Sequence, residues 1–119
     1  MNLLLDTHIL IWAIQDNPKL PSQIRTLILS ADRVAISIAS LWECSIKIGL
    51  NKLEMDLEKI MGKIESLGFE ILPIKPEHLV QLMKLPMIHR DPFDRLLVAQ
   101  AKTEPLLLQT VDPEVLAYL

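Results

Sequence analysis

The sequence predicts an α/β fold built on a parallel sheet with helices on both faces. Four short apolar runs recur along the chain, helical periodicity fills the stretches between them, and polar or turn residues mark the junctions. Strands that alternate with helices favour parallel pairing and right-handed crossovers, because parallel strands need a long return connection that a helix supplies.

The first run is Leu3-Leu4-Leu5, followed by helical stretches from Thr7 to Gln15 and from Ser22 to Ser30. Asn17-Pro18 and Pro21 separate the two, since a proline cannot supply the N–H that a continuous helix requires. The second run, Val34-Ala35-Ile36, precedes helices from Ile38 to Leu50 and from Asp56 to Leu67, with Gly68 as a stop signal. The third run, Phe69-Glu70-Ile71-Leu72, leads to a helix from Pro76 to Lys84 that Pro86 closes. A further helix from Pro92 to Thr103 carries Phe93, Leu96, Leu97, Gln100 and Ala101 at helical spacing. Leu106-Leu107-Leu108 is the last strand. Runs this short and this apolar are what strands covered on both faces require. Residues 1–119 fit one domain, with no repeat, linker or low-complexity tract.

Half of the residues are hydrophobic, more than a monomer of this size usually needs for its interior, so a face for another chain is expected. No apolar run approaches the roughly 18 residues that would cross a bilayer, and Met1-Asn2-Leu3 opens directly on a strand-like segment. The expectation is a cytoplasmic protein with no membrane association. Cys44 stands alone, which allows no internal disulfide and makes a poor zinc site; it reads as a small buried apolar residue. A net charge of −3 gives no basic field for nucleic acid, so any such contact is expected to be local and metal-assisted.

Open α/β sheets bind ligands beyond the carboxyl ends of their strands. Asp6-Thr7 follows the first strand, Ser37 the second and Thr110-Val111-Asp112 the fourth, while Asp94 lies in the first turn of the preceding helix. Glu43 sits about two turns into the helix after the second strand. Each acid has an ordinary reading. Asp6, Asp91 and Asp112 suit helix caps, with Pro92 and Pro113 as first helical residues and Asp94 completing something like a capping box. Glu43 suits an i,i+4 pair with Lys47. The capping reading fits Asp6 less well, because an acid directly after an apolar strand is close to buried and needs a partner for its charge. Glu43 lies among Leu41, Trp42 and Cys44, so its helix is expected to be largely buried. Four converging carboxylates would repel one another unless a cation neutralised them. Mg2+ and Mn2+ take oxygen ligands and need only a few protein carboxylates beside a substrate phosphate. Such a cluster can activate water against a phosphodiester.

The opening Leu4-Leu5-Asp6-Thr7-His8, the central Ser40-Leu41-Trp42-Glu43, the block from His89-Arg90-Asp91-Pro92-Phe93-Asp94 to Ala101, and the late Thr110-Val111-Asp112-Pro113 resemble PIN domains of the VapC-like toxin group. These blocks come in the family's order and span nearly the whole chain. The resemblance implies a three-layer α/β/α PIN-like fold with four or five short parallel strands. It further implies a Mg2+- or Mn2+-dependent endoribonuclease of a type II toxin–antitoxin pair, a homodimer inhibited by a cognate antitoxin. By the same resemblance Asp6, Glu43, Asp94 and Asp112 match the catalytic, metal-holding acids, Thr110 a hydroxyl near the metal, and Asp91 a supporting or capping acid. The chain departs from the family pattern at Glu104-Pro105, where a glycine-like turn is expected, and at Leu119, where a terminal edge strand is expected to be lost.

Among the other polar residues, His8 is expected at the rim. His89, Arg90, Arg95, Lys47 and Lys52 are candidate RNA phosphate contacts whose ordinary reading is a solvated surface. Trp12 and Trp42 suit burial in the core or a dimer face better than base stacking. Leu79, Leu82, Met83 and Leu85 read as a packing stripe. Two alternatives compete with a nuclease. A magnesium-dependent phosphoryl-transfer protein would want paired acids at the first strand end with a lysine after the last strand, or a second aspartate two residues after Asp6; Thr110 and His8 stand there instead. A non-catalytic PIN-like binding scaffold would be signalled by a missing site acid, and all four are present.

Overall fold

The computed structural model describes residues 1–119. Four parallel strands, β1 (Asn2–Leu5), β2 (Arg33–Ser37), β3 (Glu70–Leu72) and β4 (Leu107–Gln109), form one sheet in the order β3-β2-β1-β4. The helices are α1 (Thr7–Gln15), α2 (Ser22–Ser30), α3 (Ile38–Gly49), α4 (Leu57–Ser66), α5 (Pro76–Lys84), α6 (Pro92–Thr103) and α7 (Pro113–Leu116). No helix is long and apolar enough to cross a membrane.

Alternation along the strands divides the core in two. Leu3, Leu5 and Ile36 point to one face, where they pack with Ile9 and Leu10 of α1, Ile24 of α2, and Ile60 and Ile64 of α4. Leu4 and Ala35 point to the other, where they meet Leu97, Val98 and Ala101 of α6, with Val115 and Tyr118. These are the three layers.

Coverage on both faces holds for the central strands only. Glu70, Ile71 and Leu107 are exposed, because β3 and β4 are the sheet edges. Arg33 and Glu70 bond across β2 and β3 at that surface. The expected packing stripe divides likewise: Leu85 is buried and Leu82 packs on the core, but Leu79 and Met83 face outward. On α3, Leu41 and Cys44 are buried, whereas Trp42 lies outside the core with its indole exposed. Glu104 needs no glycine-like conformation, since its φ is −86°; its carboxylate takes up His78 and Lys75.

Prolines open α5, α6 and α7, where their missing N–H costs nothing. Helix α6 leads into β4, so its first turn lies at the opposite end of its length, beyond the carboxyl ends of the strands. Loops after β1, β2 and β4 and the start of α6 thus share one end of the sheet.

Candidate metal centre at the carboxyl edge of the sheet

Asp6 leaves β1 almost fully buried, and its N–H extends the sheet pairing by donating to the Gln109 carbonyl at 3.1 Å. Its Oδ1 accepts from the Ile9 N–H at 2.8 Å, which caps α1. Burial raises the Asp6 carboxyl above its ordinary pKa, and the charge of Asp112 adds to that. The Thr110 hydroxyl, the Ile9 N–H and His8 act in the opposite direction.

Helix α3 starts at Ser37, whose hydroxyl accepts from the Ala39 N–H at 3.0 Å. One and a half turns on, Glu43 turns inward. Its Oε1 accepts from the buried Thr7 hydroxyl at 2.7 Å, and Oε2 pairs with Lys47 Nζ at 3.1 Å. The i,i+4 pair is therefore present, but on a buried acid rather than a solvated one.

Asp91 caps α6, with Oδ1 accepting from Phe93 at 2.8 Å and Asp94 at 3.2 Å. That leaves the Asp94 side chain free of capping work. Its pKa is pushed up to about 6, first by burial and then by the charges of Asp91, Glu43 and Asp6, with His89 opposing. Thr7, next to Asp6, bonds Glu43, so the end of β1 meets α3 directly.

Asp112 divides its two oxygens. Oδ1 caps α7 through the Glu114 N–H at 2.9 Å, while Oδ2 lies 3.5 Å from His89 Nε2. Capping and membership of the cluster are compatible here. Thr110 accepts from the Asp112 N–H at 3.1 Å, and its hydroxyl acts to lower the Asp6 pKa.

His89 is the residue the sequence placed least well. Expected as a phosphate contact or a solvated side chain, it lies inside the cluster: Nε2 is 3.0 Å from Asp94 Oδ2, and Nδ1 is 3.0 Å from Glu114 Oε2. One ligand atom from each of His89, Asp94 and Asp112 falls within 4.8 Å of the others. The only available signal was proximity in sequence, with His89 two residues before the α6 cap and Glu114 two after Asp112.

The candidate phosphate contacts differ in their surroundings. Arg90 and Lys52 are exposed, and Lys47 is occupied with Glu43. Arg95 donates to the Leu85 carbonyl at 3.4 Å. His8 is exposed beside Trp12, and Trp42 meets Phe93 edge-on with ring centres 5.0 Å apart. None of the three principal concave pockets is lined by Asp6, Glu43, Asp94 or Asp112.

Asp94 and Asp112, gathered with His89, form a donor set of the kind that holds a divalent ion, and their carboxylate oxygens suit Mg2+ or Mn2+.

Compared with models of known protein families, residues 3–118 match the PIN domain. Among solved structures, the chain is similar to one in the crystal structure of VapBC2 from Rickettsia felis bound to a DNA fragment from their promoter. The TM-score is 0.70 at 20% identity, covering 99% of this chain and 93% of that one, a likeness of fold. A search of curated proteins finds no match.

Proposed function

Because the chain belongs to the PIN domain family, we propose that it is a metal-dependent endoribonuclease, the toxin of a type II toxin–antitoxin pair. The observation that carries this reading is the gathering of Asp94 and Asp112 with His89, ligand atoms within 4.8 Å of one another, beside the Thr7–Glu43 bond that joins the end of β1 to α3. Asp6, Glu43, Asp94 and Asp112 would hold Mg2+ or Mn2+. When bound, such an ion neutralises charge on a phosphodiester and eases the loss of a proton from water.

The chain's own groups prepare that surface. Thr7 and Lys47 orient Glu43, the Ile9 N–H holds Asp6, and Asp91 fixes the start of α6 so that Asp94 is spared capping and faces His89. Arg90 and Lys52, exposed and without an ion-pair partner, are the side chains best suited to steer an RNA backbone toward the acids. Lys47 can serve the same end only by sharing itself with Glu43. The VapBC2 likeness supports a cognate antitoxin as the partner, and the exposed apolar side chains support a homodimer. A cytoplasmic setting accords with both.

Asp94→Asn is the direct test. The fold is retained because Asp91, not Asp94, caps the helix. Cleavage of RNA should fall steeply, and binding of Mn2+ should weaken. Parent and variant are compared across a manganese titration with EDTA as the metal-free control. Undiminished cleavage by the variant would remove Asp94 from the mechanism, and activity that survives EDTA would remove the metal.

A further inference from the structure

We infer that His89 is itself a ligand of the divalent ion, through Nε2, and that it biases the centre toward first-row transition ions such as Mn2+ over Mg2+. This rests on the nuclease reading for the location of the metal, but makes a separate claim about its coordination.

The imidazole has a carboxylate at each nitrogen, which a single ring proton cannot satisfy. Glu114 Oε2 lies 3.0 Å from Nδ1, while Asp94 and Asp112 lie 3.0 Å and 3.5 Å from Nε2. With the proton on Nδ1 donated to Glu114, the Nε2 lone pair faces two acid oxygens, and a cation between them resolves the conflict. Metal-bound histidines commonly donate their other N–H to a carboxylate, which fixes the tautomer and aims the ring. The Asp91 N–H also approaches Nδ1, but at 3.4 Å, so Glu114 makes the closer contact.

The spacing agrees. Ligands at about 2.1 Å from an octahedral ion lie about 3 Å apart when cis. The separations from Nε2, 3.0 and 3.5 Å, are near that edge, and the Asp94 and Asp112 oxygens complete a triangle within 4.8 Å. The ring is also held in place. The Tyr118 phenol oxygen accepts from the Ile88 and His89 N–H groups at 3.1 and 2.9 Å, anchoring the backbone that carries the imidazole. A nitrogen donor distinguishes among the ions, since Mg2+ keeps to oxygen and water while affinity for nitrogen donors rises along the first-row divalent ions from Mn2+ onward.

The competing account is that His89 carries a second proton and serves as the cluster's cation, to be displaced when metal binds. Pulsed electron paramagnetic resonance of the Mn2+-loaded full chain separates the two, because a directly bound nitrogen modulates the echo. Nitrogen modulation is expected in the parent and should disappear in His89→Gln. Mn2+ affinity in that variant should fall at least about tenfold, while Mg2+ affinity, measured by competition, changes much less. His89→Lys, which keeps a cation but no imidazole, should resemble His89→Gln. Modulation absent from the parent, or retained in His89→Gln, overturns the assignment while leaving a carboxylate-only metal nuclease intact. A parent that binds no Mn2+ overturns both readings.

Discussion

Asp94 is the residue at which proton and metal compete. Its folded pKa of about 6 exceeds the ordinary 3.8, so between these values the folded, metal-free chain holds a proton that the unfolded chain has released. Stability is therefore greatest on the acid side and declines as pH rises from about 4 to about 6, by at most about 3 kcal/mol from this group. Asp94→Asn carries no such charge. In EDTA the variant should melt above the parent at pH 7, and the difference should shrink as pH falls through 6. With saturating Mn2+ at pH 7 the order should reverse, because the parent gains more from binding. Melting curves in both conditions across pH 4–7 test this, and a variant less stable than its parent in EDTA at pH 7 would show that the Asp94 charge is not under strain. His89 shows what a residue-level reading of sequence lacks. A histidine five positions from one acid and twenty-three from another gives no sign of touching both, because the loop after Pro86 and the turn after β4 meet only in three dimensions.

At the scale of elements, much was legible for local reasons. Pro76 and Pro92 start helices that Lys84 and Thr103 end, as the sequence predicted, because proline at the first turn and the periodicity behind it are local signals. The polar links between elements were not. Gln100 sits within an apolar helical face and reads as a core position, yet its fully buried amide joins three other segments. Its Oε1 accepts from Ser37 at the start of α3 at 2.5 Å, and its Nε2 faces the Pro73 carbonyl and His78 Nδ1, each at 3.3 Å. The helix bearing Glu43 is thus pinned to the helix bearing Asp94. Gln100→Met keeps the volume but leaves buried partners unsatisfied, each worth about 1–3 kcal/mol. The urea midpoint should drop by an amount equivalent to about 2–3 kcal/mol with the slope unchanged, and Mn2+ affinity should weaken with it. A change below about 0.5 kcal/mol would place Gln100 among ordinary surface-like positions.

For the whole molecule, apolar runs identified the strands but not their order, since which strand lies at an edge depends on crossovers and not on local composition; Ile71 and Leu107 look like core residues until the sheet is assembled. Composition also anticipated a surplus of apolar side chains. The surface of 6873 Å² is close to the roughly 6,500 Å² expected for a folded chain of this mass, so the surplus alters what the surface is made of and not its extent. On α5 it gathers into one exposed stripe, Leu79, Val80 and Met83, and Met87 is exposed in the loop beyond the helix. Met83, 87% exposed, has little to lose in the monomer from becoming charged, whereas at an interface between copies it would leave a desolvated carboxylate. The chain is therefore expected to be a dimer by light scattering at micromolar concentration. Val80→Glu with Met83→Glu should convert it to a monomer with an unchanged circular dichroism spectrum and unchanged Mn2+ affinity. A double variant that stays dimeric would move the interface to another face, such as the α3 stripe of Ile38, Trp42, Ile46 and Leu50. A monomeric parent would refute association and leave the metal chemistry untouched, because every acid in the cluster belongs to the same chain.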